Sequence, residues 1–545
     1  MEMTKKMKMA AVGAAAVAVV GGGVFAYTRL AGSDPKETVI QAFENVYTEG
    51  QTDPMEELFG LSEFAKAGVS ASQNSGLMLK LDSCSEPAVN TYAGSGLRID
   101  AKNDVENNKV SANMGIIYNG MDLVNLDLYY GDDTVMAAVP ELSPKVFTLD
   151  FGEGLEERLK NSPMLGSALE QSGVDASVMA EYMELLAEQA RQTQEGQAAS
   201  FDLKALMKRY REGCKAEDDF KAALTVEKGE KASFTIDGKE QACRGYEVTV
   251  SKEAMINFLR TSSDFFLQDE VLKKDFLKRL ELSVKLSQLA GAQMEGQDFP
   301  TAQEMQEQTY EEARTEIDGM IAFLDSSLND VSMTVYVDKE GCLASVKGTT
   351  SFNSTGSEAE PVQLQFGCEL KGGAYPTQNM SAQAVLENGA ASVQIEAVKE
   401  GAYDGKELTS GFELSIENQG EIAEKWDITL DSSYNSEGGG FDVQAAAAQD
   451  GMELLGFSAQ GVVDELEKGK NIHLTLDSLD VSAMGDTGNA VLSGEYYIRP
   501  LTEEVVPLEG DTMDVLAAGE EEWNSVLMEV LFSFISLSGQ MDTGN

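Results

Sequence analysis

Between residue 331 and about residue 500 the chain repeats one pattern, with apolar side chains at every second position and carboxylates, amides or hydroxyls between them. Val362, Leu364 and Phe366 alternate with Gln363 and Gln365, and Phe412, Leu414 and Ile416 with Glu413, Ser415 and Glu417. Trp426, Ile428 and Leu430 flank Asp427 and Thr429, and Ile472, Leu474 and Leu476 do the same around His473 and Thr475. A period of two belongs to strands, and one apolar plus one polar face belongs to an antiparallel sheet wet on one side. Leaving each such side chain in water forfeits about 1.5–3 kcal/mol, against a net stability of about 5–15 kcal/mol. The apolar face therefore needs a cover.

Shorter alternations fill residues 75–150, at Leu77/Leu79/Leu81, Leu97/Ile99/Ala101 and Val110/Ala112/Met114/Ile116. Helical spacing takes over elsewhere. Asp34-Pro35-Lys36-Glu37 and Asp53-Pro54-Met55-Glu56 each place an N-cap ahead of a proline at the first helical position. Met179, Tyr182, Met183, Leu186 and Ala190 fall three and four apart, as do Leu203, Leu206, Met207 and Tyr210. A hairpin with an Asp237-Gly238 turn lies near 220–250, and Pro300, Thr301 and Glu304 open a long helix through Leu328. The last element is a helix whose stripe runs from Trp523 to Phe534 and Ile535. The pattern predicts an α+β chain: long, twisted antiparallel sheets with helices packed on one face, preceded by an N-terminal transmembrane helix. Its expected units are an anchor and linker (1–33), a mixed helical and β region (34–330), a β-rich region (331–510), and a terminal amphipathic helix with its tail (511–545). The helices of 153–328 and the last helix are the expected cover.

Lys5, Lys6 and Lys8 precede an uncharged run from Met9 to Tyr27, about 19 residues or roughly 28 Å as a helix. Positive charge before it and an acidic chain after it orient the body outward. The run reads as an uncleaved signal anchor, with a cleaved signal peptide at Val24-Phe25-Ala26 as the alternative; both export the chain. The expected location is therefore the cell membrane with the body extracytoplasmic, or secretion after cleavage.

The charge narrows the partners. With 41 basic and 92 acidic residues the net charge is −51 and no basic patch interrupts it, so phosphate backbones are repelled and nucleic acid is excluded. The single histidine, His473, falls on the polar side of its strand, which argues against Ser-His-Asp or Cys-His chemistry. Ser33-Asp34-Pro35-Lys36 has the form of a penicillin-interacting serine motif, but Lys347-Gly348-Thr349 does not supply its partner. Gly401–Lys406 is a residue short of a phosphate loop and joins two strands. No zinc or calcium spacing occurs, so neither metal nor cofactor is expected. Among Cys84, Cys214, Cys243, Cys342 and Cys368, a Cys214–Cys243 disulfide is the plausible pairing in an exported protein, the alternative being buried free thiols.

The anchor, the segment Asp34–Phe43, the strand text Leu128-Tyr129-Tyr130-Gly131-Asp132-Asp133 with Val139-Pro140-Glu141-Leu142, and Ala242-Cys243-Arg244-Gly245-Tyr246 together resemble a class of uncharacterised, membrane-anchored exported proteins of Gram-positive bacteria. That resemblance implies an anchored extracytoplasmic body and brings no activity with it. The helix-covered long sheet is also similar in architecture to the LolA-like lipoprotein carriers, which implies a lipid held between sheet and helices. The expectation is a non-catalytic envelope protein binding a lipid, another apolar ligand or a protein partner, with Phe412, Leu414, Trp426, Trp523 and Phe534 forming a ligand seam or simply core. The alternative is a carboxylate-dependent hydrolase of a cell-wall or dietary polysaccharide. Both tryptophans lie on apolar stripes and not on display as sugar platforms, which favours binding.

Overall fold

The computed structural model describes residues 34–46, 52–166, 169, 176–194, 203–291, 300–353, 361–389, 391–420, 423–483 and 488–542. The Met9–Tyr27 run lies outside them, and among the described residues no helix is long and apolar enough to cross a membrane.

The alternation is realised as strands throughout. The first six are β1 (Gln73–Cys84), β2 (Gly96–Asp104), β3 (Lys109–Tyr118), β4 (Met121–Gly131), β5 (Thr134–Ala138) and β6 (Lys145–Asp150). The expected hairpin is β7 (Thr225–Ile236) with β8 (Lys239–Val250), and Asp237 and Gly238 turn it at φ of 51° and 68°. Next come β9 (Val331–Val337), β10 (Leu343–Phe352), β11 (Val362–Gly372), β12 (Asn379–Asn388), β13 (Ala391–Tyr403) and β14 (Glu407–Gln419). They are followed by β15 (Ala423–Asn435), β16 (Gly440–Gln449), β17 (Met452–Glu467), β18 (Asn471–Ala483), β19 (Gly488–Pro500) and the short β20 (Asp511–Asp514).

All 20 strands belong to one sheet. From β7 to β19 each strand pairs antiparallel with its successor in sequence. β19 then pairs antiparallel with β1, and β1 to β6 continue in order. Only β20 is parallel, on β6. Residues before and after 330 thus share a single sheet, since Val250 pairs with Val331.

The helices are α1 (Pro35–Val46), α2 (Pro54–Phe59), α3 (Leu61–Ser70), α4 (Pro87–Asn90), α5 (Leu155–Asn161) and α6 (Ala176–Gln194), then α7 (Leu203–Gly213), α8 (Ala216–Ala223), α9 (Lys252–Gln268), α10 (Glu270–Gly291), α11 (Ala302–Ser327) and α12 (Glu520–Asp542). The Thr301 and Glu304 side chains form the expected capping box at the start of α11. The largest core lies where Val39 and Phe43 of α1, Phe220 of α8, Met255 of α9 and Leu324 of α11 meet Val248, Val335, Val346, Leu364 and Leu386 of β8–β12. A second cluster, at the β6 end, joins Leu155, Leu159, Ala176 and Ala180 of α5 and α6 to Leu149 and Phe151. The two are linked through helices: α6 packs on α10, with Lys285 2.6 Å from Glu181, α10 packs on α11, and α11 on α9.

One expectation is corrected here. The expected covering helices lie on the apolar face, but at the two ends of the sheet. Of β14, β15 and β18, where the alternation is clearest, only one end of the strands meets a helix, the short α2. The connections explain this. Val250 ends β8 and Lys252 opens α9, while Ser327 ends α11 and Val331 opens β9, so these helices cannot stray from the strands they follow and precede.

The proposed disulfide is corrected as well. All five cysteines are free. The Cys243 thiol, buried opposite Ala232 in the hairpin, is directed at the Gln241 carbonyl, and the Cys214 thiol at the end of α7 is directed at the Thr261 carbonyl of α9. The hairpin pairs with β9, while α7 belongs to the helical layer, and each thiol has its own neighbour.

Candidate ligand-binding face

Side chains alternate across each strand, so the registers decide which residues share a face. Leu386 is opposite Val393, Ile395 opposite Ile416, Ile416 opposite Trp426, and Ile428 opposite Ala447. Ala447 is opposite Leu455, and Leu474 is opposite Tyr496. Tyr496 is opposite Leu77, Leu77 opposite Ile99, and Ile99 opposite Met114. In β18 a bulge between Leu476 and Leu479 keeps both on that face, opposite Gly494 and Leu492. One apolar face therefore runs from the helix-covered core at β8–β12 to β6.

At its middle this face is open. Ile428 and Leu430 are 39% and 43% exposed, Phe457 and Val481 41% each, Leu97 44% and Leu455 60%. On β15 Ile428 and Leu430 are more exposed than Asp427 and Thr429 beside them, which are only partly exposed. Scattered exposed apolar residues mean little, but a contiguous patch across many strands marks a binding surface.

The helices touching the two ends do so on this face, through Leu364 and Val335 at one end and Leu149 at the other. Because those helices also pack on one another, α6 on α10 and α10 on α11, they tie the two ends together on the apolar side and make the open face the wall of a trough. One end of that trough is stoppered by α2. Asp53 caps α2, accepting from the amides of Met55 (3.0 Å) and Glu56 (3.3 Å), and Gly60 ends it at φ 69°. Leu58, 4% exposed, packs with Tyr434 and Val463, and Phe59 lies 4.7 Å from the Tyr434 ring. Tyr403, Leu408, Phe441, Ile472 and Leu474 complete this cluster, drawing β13 to β18 around six helical residues. The Gly469 amide donates to the Phe59 carbonyl at 3.1 Å, fixing the stopper to the β17–β18 turn. Burial, and the Glu57 carboxylate beside it, push the Tyr403 hydroxyl up to about 12.

The residues expected to form a seam are placed as follows. Phe412 and Leu414 of β14 and Trp426 of β15 are neighbours on the open face, Leu414 opposite Ile428 and Phe412 opposite Leu430. Trp523 stacks on Phe147 of β6 at 5.9 Å, far along the strand order from β14. Phe534, 60% exposed, stands on the outer stripe of the same helix with Leu527, Leu531 and Ile535. The seam as expected does not form; the face at its centre does.

Sequence reading missed Lys399. It sits on the apolar face of β13, opposite Met380 and Phe412, with its ammonium 5.2 Å from the Tyr375 ring centre. The signal was there, because Val393, Ile395 and Ala397 alternate with Gln394, Glu396 and Val398 and carry that parity on to Lys399.

The opposite face is polar and self-paired. Lys425 meets Asp427 at 2.9 Å, Asn113 donates to Asp127 at 2.7 Å, and Tyr497 donates to Asp100 at 2.6 Å. His473 lies on this side, as its strand parity requires, 3.5 Å from Asp464 and 3.6 Å from Glu495. The segment Leu501–Leu508 crosses this face, burying Val505 against Tyr129 and Met136, and bounds a cavity of about 400 Å³ edged by Asp100, Lys102, Asn113 and Asp127. Among the described residues no cluster of His, Cys, Asp and Glu is arranged to hold a metal.

No family model matches the chain, and no curated protein matches it. Among solved structures the CymD monoaromatic hydrocarbon channel is aligned at 7% identity over 86% of this chain and 97% of that one; its TM-score of 0.15 carries no argument about fold or function.

Proposed function

We propose that the chain is a non-catalytic binding protein for lipids or other apolar ligands, carried on the outer side of a membrane by residues 1–33. The observation that supports this most directly is the open middle of the apolar face, with Ile428, Leu430, Phe457 and Leu97 each about two-fifths exposed on one continuous wall. Stability alone does not account for leaving that wall wet, whereas an acyl chain laid on it recovers the lost burial. The expected placement rests on Lys5, Lys6 and Lys8 ahead of the Met9–Tyr27 run.

The test is to purify the full chain in a neutral detergent and label it with a diazirine-bearing fatty acid. Cross-links should map to peptides of β13–β18. Labelling confined to α12 or to the polar face would sink the reading, and so would a trough-face peptide set left unmarked. Placement is checked separately, by adding protease to intact cells, which should remove the body of the protein.

A further inference from the structure

The neighbouring lysines of the polar face are each paired with a carboxylate: Lys347 with Glu369 at 2.9 Å, Lys371 with Glu400 at 3.9 Å, and Lys425 with Asp427 at 2.9 Å. Lys399 is on the other side, where its strand neighbours in register are Met380 and Phe412, and among the described residues it makes no ion pair. Its ammonium lies over the face of Tyr375, in the β11–β12 connection. That connection is held over β13 by Gln378, which donates to the Gly401 carbonyl at 2.8 Å, and by Asn379, which accepts from the Gly401 amide at 2.8 Å. The acid that bears on Tyr375 is Asp53, and its carboxylate already serves as the cap of α2. Lys399 is thus a partly buried cation set in an apolar wall, four residues along the same face of β13 from Tyr403, which touches the stopper.

We infer that Lys399 is the head-group site of the trough, and that the ligand is an amphiphile with an anionic head and an acyl tail. This rests on the reading of the open face as a ligand site. The geometry sets the direction of the chain. From Lys399 down β13 to Ala391 is eight residues, or about 27 Å at roughly 3.4 Å per residue. That span holds an extended acyl chain of common length, running past Ala397, Leu414, Ile395 and Ile416 toward the unstoppered end. An ammonium in an apolar wall rewards a carboxylate or phosphate with a charge-assisted hydrogen bond, which a neutral head cannot return. The net charge of −51 does not forbid this, since the carboxylates of the strands beside Lys399, Glu369, Glu400 and Glu413, sit across the sheet, the nearby Asp53 is held as the cap of α2, and salt screens charges beyond about 8–10 Å.

The experiment compares three diazirine probes on the full chain in neutral detergent: palmitic acid, hexadecanol and phosphatidylglycerol. Each is applied to the wild type, Lys399→Met and Lys399→Arg. The expected result is about tenfold stronger labelling of the wild type by the acid than by the alcohol. Lys399→Met should lose that preference while keeping the alcohol signal, and Lys399→Arg should restore it. Labelling by phosphatidylglycerol with the same dependence on Lys399 assigns the site to phospholipid, and its absence assigns it to single-chain acids. Equal labelling by acid and alcohol in the wild type, or an acid preference that survives Lys399→Met, overturns the inference and leaves the trough standing. No labelling of the apolar face by any probe instead removes the trough.

Discussion

Leu430 and Val335 lie on the same face of the same sheet, yet a carboxylate at each should have opposite consequences. Val335 is fully buried beneath the helices, whereas Leu430 is 43% exposed. Val335→Asp strands a charge in a packed core and should abolish the cooperative thermal transition. Leu430→Asp should keep the fold, shifting stability by about 1 kcal/mol or less, and lose acyl-probe labelling. Circular dichroism melts alongside the labelling assay check both. The alternation around Leu430 made its face legible in the sequence; its exposure was not, because exposure depends on where helices hundreds of residues away come to rest. Tyr403 and Tyr210 add a pH signature. Burial pushes each hydroxyl up to about 12. An unfolded tyrosine ionises near pH 10, so the folded state holds the extra proton between about 10 and 12, and stability present below pH 10 is lost as pH rises through that window. Tyr403→Phe and Tyr210→Phe should flatten the fall in melting temperature there, and an unchanged slope would contradict the assignment.

The stopper is an element-scale device, and its logic is partly written in the sequence. Asp53-Pro54 announces a helix start, and α2 begins there. Gly60 then adopts φ 69° and divides the helical run into α2 and α3. A side chain at Gly60 would be strained by that backbone and would also sit 3.0 Å from the Gly469 amide nitrogen. Gly60→Val should therefore cost about 1–2 kcal/mol from the backbone alone. It should also loosen Leu58 from Tyr434, which deuterium exchange over residues 54–59 would register as faster uptake. The Asp237-Gly238 hairpin and the Thr301 capping box were legible for the same reason as the Asp53 cap: each is settled by two to four adjacent residues. Which strands the helices cover is settled by chain connections and distant packing, and local pattern carries no trace of it.

At the scale of the whole molecule the charge of −51 acts on the folded body as self-repulsion. Raising ionic strength from about 0.01 M to 0.15 M shortens the screening length from about 30 Å to 8 Å. Scanning calorimetry should therefore show the melting temperature rising over that range, and a falling one would mean that the polar-face ion pairs outweigh the repulsion.

The pairing of β1 with β19 has a consequence in time. Leu81 meets Leu492, a separation of 492 − 81 = 411 residues. At roughly 5–20 residues per second, about 20–80 s of synthesis separate the two. Throughout that interval the first hairpins present an unpaired strand edge and an uncovered apolar wall, the combination that recruits other chains into aggregates. The unfinished chain must therefore be held open or guarded until β19 arrives, and a chain cut short before residue 488 keeps that edge for its whole lifetime.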